Sequence, residues 1–564
     1  MGKKEKFIVC CALPYANGPL HIGHLAGCYV PGDIYVRFKR LQGHDVHFLC
    51  GTDEHGAAIT ILAQKQKISP QEVVDKYHQI LKADMLAAGI QFDVFSRTTK
   101  PFHYKRSQEF FLNCLKNGYI EKKNEQRLHC SNCKQFLPDR YVVGECPVCH
   151  APGARGDQCE KCGAWFEPEE LINPICQICG VTHAGLQPTT HWYLLLDKLG
   201  PKLKEYLDSK SYWRKNVLGY AYQPLKAELQ PRSITRDLNW GIEVPLEEAK
   251  GKVLYVWFDA PIGYISASED WGIQLGEPEK WRSYWEDPEA KLVHFIGKDN
   301  IIFHTVVWPA VLMGDGRYPL PYLVAGNEFL NLEGQKISTS RNFAIWASEA
   351  TALVGSDALR FYLTRISPET SDSNFLWNDF QLKVNGELAD VIGNLVNRSL
   401  SFLLKEFEGK IAAGEYPGLA VIRAKLEAAF KNYSEALEGG FTKIASDHLV
   451  DFARSLNVFF QEQAPWKQKK SDPALAHQTL SATVFGVKAL ALMLFPICPG
   501  IADKIWLQLG MPNGVASYSF EHISTQLPAG HTVSPAIGPV VTKVEDSLIA
   551  QEREKLNQVI SSIK

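Results

Sequence analysis

The apolar pattern changes character along the chain, and each change marks a different kind of structure. From residue 4 to about 117, short apolar runs alternate with helical spacing. Phe7 to Leu13 and Val46 to Cys50 read as strands buried on both faces, as in a parallel sheet. Helical spacing starts at Ile22, Leu25 and Tyr29 and is interrupted at Pro31-Gly32. From Gly118 to about Leu225, Cys, Pro and Gly punctuation takes over and predicts a metal-stapled insertion. The α/β pattern then resumes, with Val253 to Phe258, Leu292 to Ile296 and Tyr322 to Ala325 predicted as strands and Asn300 to Met313 as a helix. After about Asp379 the spacing is helical, as in Leu426, Phe430, Tyr433 and Leu437, then Leu449, Phe452, Leu456 and Phe459. Segment 509–540 is rich in Gly, Pro and Ser and predicts irregular structure, and 544–563 a last amphipathic helix.

The pattern predicts an α/β fold: a Rossmann-type parallel sheet split by a knuckle insertion and followed by an α-helical bundle. The expected boundaries are 1–117 for the first half of the sheet domain, 118–225 for the insertion, 226–325 for the second half, 326–380 for a connecting loop region and 381–564 for the bundle with its C-terminal helix. Composition narrows the class. Charged residues are 22% and hydrophobic residues 45%, and no apolar run approaches the roughly 18 residues of a membrane span. Without a cleavable leader pattern either, an intracellular enzyme is expected. A net charge of −2 supplies no overall basic field, so any RNA contact must use local patches such as Lys467, Lys469 and Lys470.

The richest chemistry lies in Cys11 to His24, where an apolar strand passes through a Pro/Gly turn into two histidines one helical turn apart. Free backbone N–H groups and the helix dipole favour an anion there, at the carboxyl end of a sheet strand. Gly23 leaves no side chain between the helix start and a flat ring. A second segment, Gly334-Gln335-Lys336-Ile337-Ser338-Thr339-Ser340, is a small polar loop with one lysine, suited to closing over a polyphosphate. Alone such a loop is usually a surface turn; its value lies in pairing with His21 and His24 across the two halves of one sheet.

Of fourteen cysteines, eight form the pairs Cys130/Cys133, Cys146/Cys149, Cys159/Cys162 and Cys176/Cys179. Clustered Cys-x-x-Cys pairs point to zinc rather than disulfides or a redox dithiol, each pair being half of a tetrahedral thiolate site. Eight ligands make two ions, and all-sulfur coordination makes them structural. Sequential pairing would join the first two knuckles and the last two.

His21-Ile22-Gly23-His24 and Lys336-Ile337-Ser338-Thr339-Ser340 resemble the two signatures, known as HIGH and KMSKS, of the class I aminoacyl-tRNA synthetases. Ala12-Leu13-Pro14-Tyr15-Ala16-Asn17-Gly18, Gly51-Thr52-Asp53-Glu54-His55-Gly56, Trp257-Phe258-Asp259-Ala260-Pro261-Ile262-Gly263-Tyr264, Phe295-Ile296-Gly297-Lys298-Asp299 and Gln463-Ala464-Pro465-Trp466 are similar to the methionyl-tRNA synthetase family. The resemblance spans about residues 5 to 550.

The resemblance implies activation of methionine by ATP and its transfer to tRNA(Met), the initiator included. It implies that His21 and His24 hold the phosphates, Gly23 packs under adenine, Gly297 and Asp299 border the ribose, and Lys336 neutralises departing pyrophosphate with Mg²⁺. Thr339 stands where the family often has a second lysine, and its side chain is left to hydrogen-bond a phosphate. For methionine, the matching positions are Ala12, Leu13, Tyr15, Trp257, Ala260, Pro261, Tyr264 and His304, with Asp53 as partner of the substrate ammonium. Aromatics suit a thioether, since each sulfur–aromatic contact contributes about 0.3–1.5 kcal/mol. Asn300 sits where an apolar wall is expected, and Arg236 faces the substrate or pairs with Asp299.

The resemblance also implies nested zinc sites, Cys146, Cys149, Cys159 and Cys162 sharing one ion and Cys130, Cys133, Cys176 and Cys179 the other. Asn394 and Arg398, four apart on one helix face, and Trp466 match positions that read the anticodon. An insertion filled with knuckles leaves little room for the editing domain that isoleucine, valine or leucine enzymes require. A cysteine enzyme would be expected to use zinc at its substrate site. A catalytically silent tRNA-binding zinc protein would not need His21, His24 and Lys336. A cytoplasmic monomer is expected, because the chain stops at Lys564 without the C-terminal module of some relatives.

Overall fold

The computed structural model describes residues 4–138, 141–156, 159, 161–162, 164, 166–181, 184–339 and 342–563. Its centre is a five-stranded parallel sheet of β1 (Lys6–Cys11), β2 (Asp45–Thr52), β3 (Val94–Arg97), β4 (Lys291–Gly297) and β5 (Pro321–Asn327), in the order β5-β4-β1-β2-β3. Phe7 to Cys11 are fully buried, as a strand covered on both faces requires. The chain winds outward from β1 to β3, then returns to the other side of β1 for β4 and β5. That reversal opens a crevice at the carboxyl ends of β1 and β4.

Two expectations fail locally. The helix after β1 is not interrupted at Pro31-Gly32 but runs from Ile22 to Leu41, passing through a π-helical segment at Leu25–Tyr29. Pro31 cannot donate to the preceding turn. The wide turn absorbs this, and the Gly27 carbonyl accepts a bond from Asn327 Nδ2 at 2.8 Å. Gly32 lets the helix lie close on β1, since a Cβ there would stand 2.6 Å from Cys11 Sγ. In the second case, Val253 to Phe258 is not one strand. Only Val253–Leu254 pairs, with Thr235–Arg236, and Val256–Asp259 turns into a helix. A short apolar run buried on all sides carries no period that separates strand from helix.

Between β3 and β4 stands a long antiparallel ribbon, Ile120–Cys130 against Ala184–Leu194, with the knuckles at its far end. Helices Leu196–Asp208 and Lys215–Lys226 return to the edge of the sheet, where Trp213 Nε1 donates to Tyr322 O at 2.8 Å and Arg214 to Asn327 Oδ1 at 2.6 Å. After β5, Leu330–Leu332, Gln335–Lys336 and Ser373–Phe375 form a small sheet. The bundle follows, packed around Pro473–Leu494, whose residues from Thr479 onward are all buried. Segment 509–540 is largely irregular, and the last helix is Asp546–Ile563.

Candidate active site and tRNA-contact region

The candidate nucleotide side begins where β1 ends. Leu20 N donates to Asp84 Oδ2 at 2.9 Å, Ile22 N to Ile345 O at 3.0 Å, and Ala347 N to Leu20 O at 2.9 Å, so the 20–24 segment is laced to residues 345–347. His21 is the N-cap: its Nδ1 accepts the Gly23 N–H at 3.1 Å, while His24 Nδ1 accepts the His21 N–H at 3.2 Å. The two rings stack, centroids 3.7 Å apart. Burial, and for His21 also the neighbouring His24, holds these imidazoles neutral, with pKa values lowered to about 2 and about 4. His24 is nevertheless open to the crevice on one side. With both Nδ1 atoms accepting, the ring protons reside on Nε2, which makes two neutral donors beside a helix start.

The second motif approaches from the opposite side. A Cβ on Gly23 would lie 3.3 Å from Ile337 Cδ1, so the loop already touches the first motif. Ser338 and Phe343 exchange backbone bonds of 2.9 Å and close the loop. Lys336 and Thr339 are exposed, and Lys336 Nζ stands 5.4 Å from the centre of the Phe329 ring. Lys298, which bonds Glu328 at 2.6 Å, approaches the same ring at 5.3 Å. Ser340 lies outside the described residues. Gly297 closes β4, and Asp299 follows in the Lys298–Asn300 turn, exposed to solvent.

The candidate amino-acid side is built from three segments. Tyr15 and Asp53 are bridged through backbone bonds of 2.9 Å, Asp53 N to Pro14 O and Ala16 N to Asp53 O. Trp257 stacks on Phe303 at 3.8 Å and presents its plane edge-on to Tyr15 at 6.4 Å. Leu13 packs against Gly263, where a Cβ would be 3.0 Å from Leu13 Cδ2. Ala12, Ala260 and Pro261 are half-buried. Tyr264 is fully buried, and its hydroxyl bonds His304 Nε2 at 2.8 Å, while His304 Nδ1 bonds Asn300 O at 3.0 Å. Asn300 thus enters through its carbonyl. Burial lowers the His304 pKa to about 4. Arg236 donates to Ser233 O and Thr235 O and lies 3.7 Å over the Tyr255 ring.

Phe303, Phe329 and Asp84 carry no motif signal and emerge only from the fold. Glu54, His55 and Asp259 lie inside recognisable stretches, yet their spacing assigns them nothing. Glu54 is buried under Asp53 and binds Arg97 Nε at 2.8–2.9 Å and Thr52 Oγ1 at 2.7 Å. The usable signal is confined to Asp259, a charge set among Trp257, Phe258, Ala260 and Pro261, which predicts a buried ion that must have a partner.

The eight knuckle cysteines form two groups, Cys130/Cys133/Cys176/Cys179 and Cys146/Cys149/Cys159/Cys162, each with its sulfurs within 4.8 Å of one another. Sγ–Sγ separations are 3.6 Å and 3.9 Å across the first and 3.8 Å and 3.7 Å across the second. A tetrahedron with Zn–S bonds of about 2.3 Å has edges of about 3.8 Å. The thiolate sets therefore fit zinc and are nested, not sequential.

At the far end of the molecule, Arg398 lies 5.2 Å from the centre of the Phe460 ring and 5.9 Å from that of Trp466. Trp466 is 37% exposed, and Asn394 is exposed one turn before Arg398. A partly exposed indole beside a guanidinium suits unstacked bases. Lys469 pairs with Glu406, while Lys467 and Lys470 face solvent.

A capped histidine pair and a lysine-bearing loop, meeting at the switch point of a split Rossmann sheet, are the arrangement of a class I aminoacyl-tRNA synthetase. Residues 7–400 match the family model for "tRNA synthetases class I (M)", and residues 413–559 that for the anticodon binding domain of methionyl tRNA ligase. The methionine–tRNA ligase of Chloroherpeton thalassium is 42% identical, over 100% of this chain and 82% of the relative. That of Thermococcus kodakarensis is 45% identical, over 96% of this chain and 74% of its own length. Mycobacterium tuberculosis methionyl-tRNA synthetase, solved in complex with methionyl-adenylate, superposes with a TM-score of 0.78 at 25% identity, covering 95% of this chain and 99% of that one. This chain belongs to the methionine–tRNA ligase family. Among the described residues, no helix is long and apolar enough to cross a membrane.

Proposed function

We propose that this chain activates methionine with ATP and transfers it to the 3′ end of tRNA(Met), the initiator form included, as a cytoplasmic monomer. The observation that carries this reading is the strand–turn–helix after β1. Its upstream half, Ala12 to Tyr15, meets the Trp257 wall, and its downstream half, His21 to His24, offers two N–H donors beside the 334–346 loop.

In the first step a methionine carboxylate oxygen attacks the α-phosphorus of ATP. The bond from that phosphorus to the bridging oxygen breaks, methionyl-adenylate forms and pyrophosphate leaves. Positioning and charge neutralisation accelerate such a step without a protein nucleophile. His21 and His24 hold the phosphates, Gly23 lets adenine lie flat, and Gly297 and Asp299 border the ribose. Lys336 and Thr339 close on the pyrophosphate, whose charge Mg²⁺ carried in with ATP shares. Asp53 receives the ammonium. Ala12, Leu13, Tyr15, Trp257, Ala260, Pro261, Tyr264 and His304 enclose the thioether, with Asn300 beside them. In the second step a hydroxyl of the terminal tRNA ribose attacks the methionyl carbonyl carbon and AMP departs.

Asn394, Arg398 and Trp466 hold the anticodon. Two zinc ions, held by Cys130, Cys133, Cys176 and Cys179 and by Cys146, Cys149, Cys159 and Cys162, would supply folding energy to the knuckles and no chemistry at the active site. Exchange of labelled pyrophosphate into ATP, run with a panel of amino acids, tests the reading. Among the amino acids of proteins, exchange is expected with methionine alone; exchange driven by another of them, or none at all, overturns it. Charging of initiator and elongator tRNA in parallel tests the RNA assignment.

A further inference from the structure

Behind the amino-acid pocket, His55, Asp259 and His103 form a cluster in which no side chain is more than 1% exposed. Asp259 Oδ2 accepts from His55 Nδ1 at 2.7 Å and from His103 Nε2 at 3.4 Å, and its Oδ1 has no hydrogen-bond partner among the described residues. His103 Nδ1 bonds Ser266 Oγ at 2.8 Å, and His55 Nε2 faces the Tyr104 hydroxyl at 3.4 Å.

The cluster joins parts of the chain that the pocket needs at a fixed separation. His55 lies two residues beyond Asp53, and its N–H reaches Asp53 Oδ1 at 3.4 Å. Asp259 ends the short helix Val256–Asp259 that carries Trp257 and immediately precedes Ala260 and Pro261. Ser266 belongs to the helix Gly263–Gln274 that carries Tyr264. A carboxylate at this point takes two N–H donors at once. Both donors fall on one oxygen, so a neutral amide oxygen in its place still accepts both but without the charge that strengthens them, and the carboxylate holds both rings and both segments more firmly.

We propose that Asp259, gripped by His55 and His103, is a positioning residue that sets the distance between the Asp53 carboxylate and the wall formed by Trp257, Ala260 and Pro261. The pocket then measures an unbranched side chain against a fixed ammonium anchor. The inference rests on the reading of Asp53 and Trp257 given above. Burial opposes the charge on Asp259, and the two imidazoles hold its carboxyl below the usual range all the same. A charge retained against burial is expected where geometry rather than stability is at stake.

Pyrophosphate exchange on the full chain, with methionine, norleucine and ethionine as substrates, tests this. For Asp259→Asn the KM for methionine rises at least tenfold, the ATP KM stays within twofold, and kcat/KM for methionine relative to the two analogues falls. Asparagine reproduces the Nδ1 donor of histidine and glutamine the Nε2 donor. His55→Asn and His103→Gln therefore keep more of the discrimination than His55→Gln and His103→Asn. Tyr104→Phe, which removes only the outermost contact, gives a smaller change of the same sign in a protein of unaltered melting temperature. Equal loss toward methionine and ATP, or an unchanged analogue ratio in Asp259→Asn, overturns the proposal. Wild-type protein without methionine-dependent exchange would instead overturn the functional reading on which it rests.

Discussion

A methyl group on Gly23 is the smallest change that tests how the nucleotide site is built. The added Cβ would stand 2.9 Å from both Cε1 and Nδ1 of His21 and 3.3 Å from Ile337 Cδ1. Ordinary carbon contacts lie at about 3.5–4.0 Å, so the His21 ring must move by roughly 1 Å. That motion breaks the 3.1 Å bond from Gly23 N–H to His21 Nδ1. The lost cap costs about 1 kcal/mol, and alanine in place of glycine returns up to about 1 kcal/mol of helix propensity. Stability therefore stays near balance. Activity does not, because a donor misplaced by about 1 Å costs on the order of 10²-fold and a lost one roughly 10²–10³-fold. Gly23→Ala should melt within about 2 °C of wild type while its methionine-dependent pyrophosphate exchange drops by roughly 10²–10³-fold. A folded Gly23→Ala protein with wild-type exchange would refute the claim that His21 is held in register by the space at Gly23.

Lys336→Ala should slow adenylate formation by roughly 10²–10³-fold, or about 3–4 kcal/mol, with methionine binding little changed; equal exchange rates in mutant and wild type would count against the loop's role. Metal analysis should find two zinc ions per chain, and Cys146→Ser should lose one of them while the Cys130/Cys133/Cys176/Cys179 group keeps its own; loss of both would refute independent sites. Stability should fall as pH drops from 7 toward 5. His304 and His78 are buried with pKa values near 4, so the unfolded chain binds protons below about 6.5 that the native fold refuses, worth up to about 2 kcal/mol each by pH 5. A denaturation midpoint independent of pH over that window would contradict this. Trp466→Ala should raise the tRNA KM by about 10–100-fold, the worth of one stacked base, and leave pyrophosphate exchange intact.

The parts of the site that were legible in the chain are those where local physics dictates composition. A strand buried on both faces must be apolar, a turn over a phosphate must be glycine-rich, and thiolate zinc sites need paired cysteines. Hence β1, the His21–His24 turn and the knuckles were readable. Partners supplied by tertiary contact were not. Phe303 reaches Trp257 from the far side of β4 and Phe329 lies beneath Lys336, while Asp84 holds Leu20 from another helix. Such residues look like ordinary core or surface until the fold brings them in. The misread strand at Val253 to Phe258 has the same origin, because burial on every side removed the alternation that would have distinguished a helix.

Ion pairs and hydrogen bonds tie the bundle to the helix after β1 and to the β5 edge, and this decides how the tRNA variants must be judged. Lys39, on the helix after β1, is 2% exposed and bonds Glu438 of the bundle at 2.6 Å. Burial lowers its pKa, and Glu438 restores part of the loss. Asp33 of the same helix pairs with Arg360 at 2.7 Å, and Arg360 also donates to Pro496 O and Ile497 O. Arg214 joins the β5 edge to Gly440 O. In the Asp33–Arg360 pair, whose side chains are 2% and 1% exposed, removing one member costs about 3–5 kcal/mol, since the partner's charge stays behind. Asp33→Ala should therefore lower the melting temperature and depress adenylation and charging together, although it lies in neither site. Trp466 sits at the surface outside these pairs, so a variant there can separate charging from adenylation. Parallel loss of both activities in Trp466→Ala, with an unchanged melting temperature, would mean that the indole acts on the crevice through the bundle and not by stacking on a base.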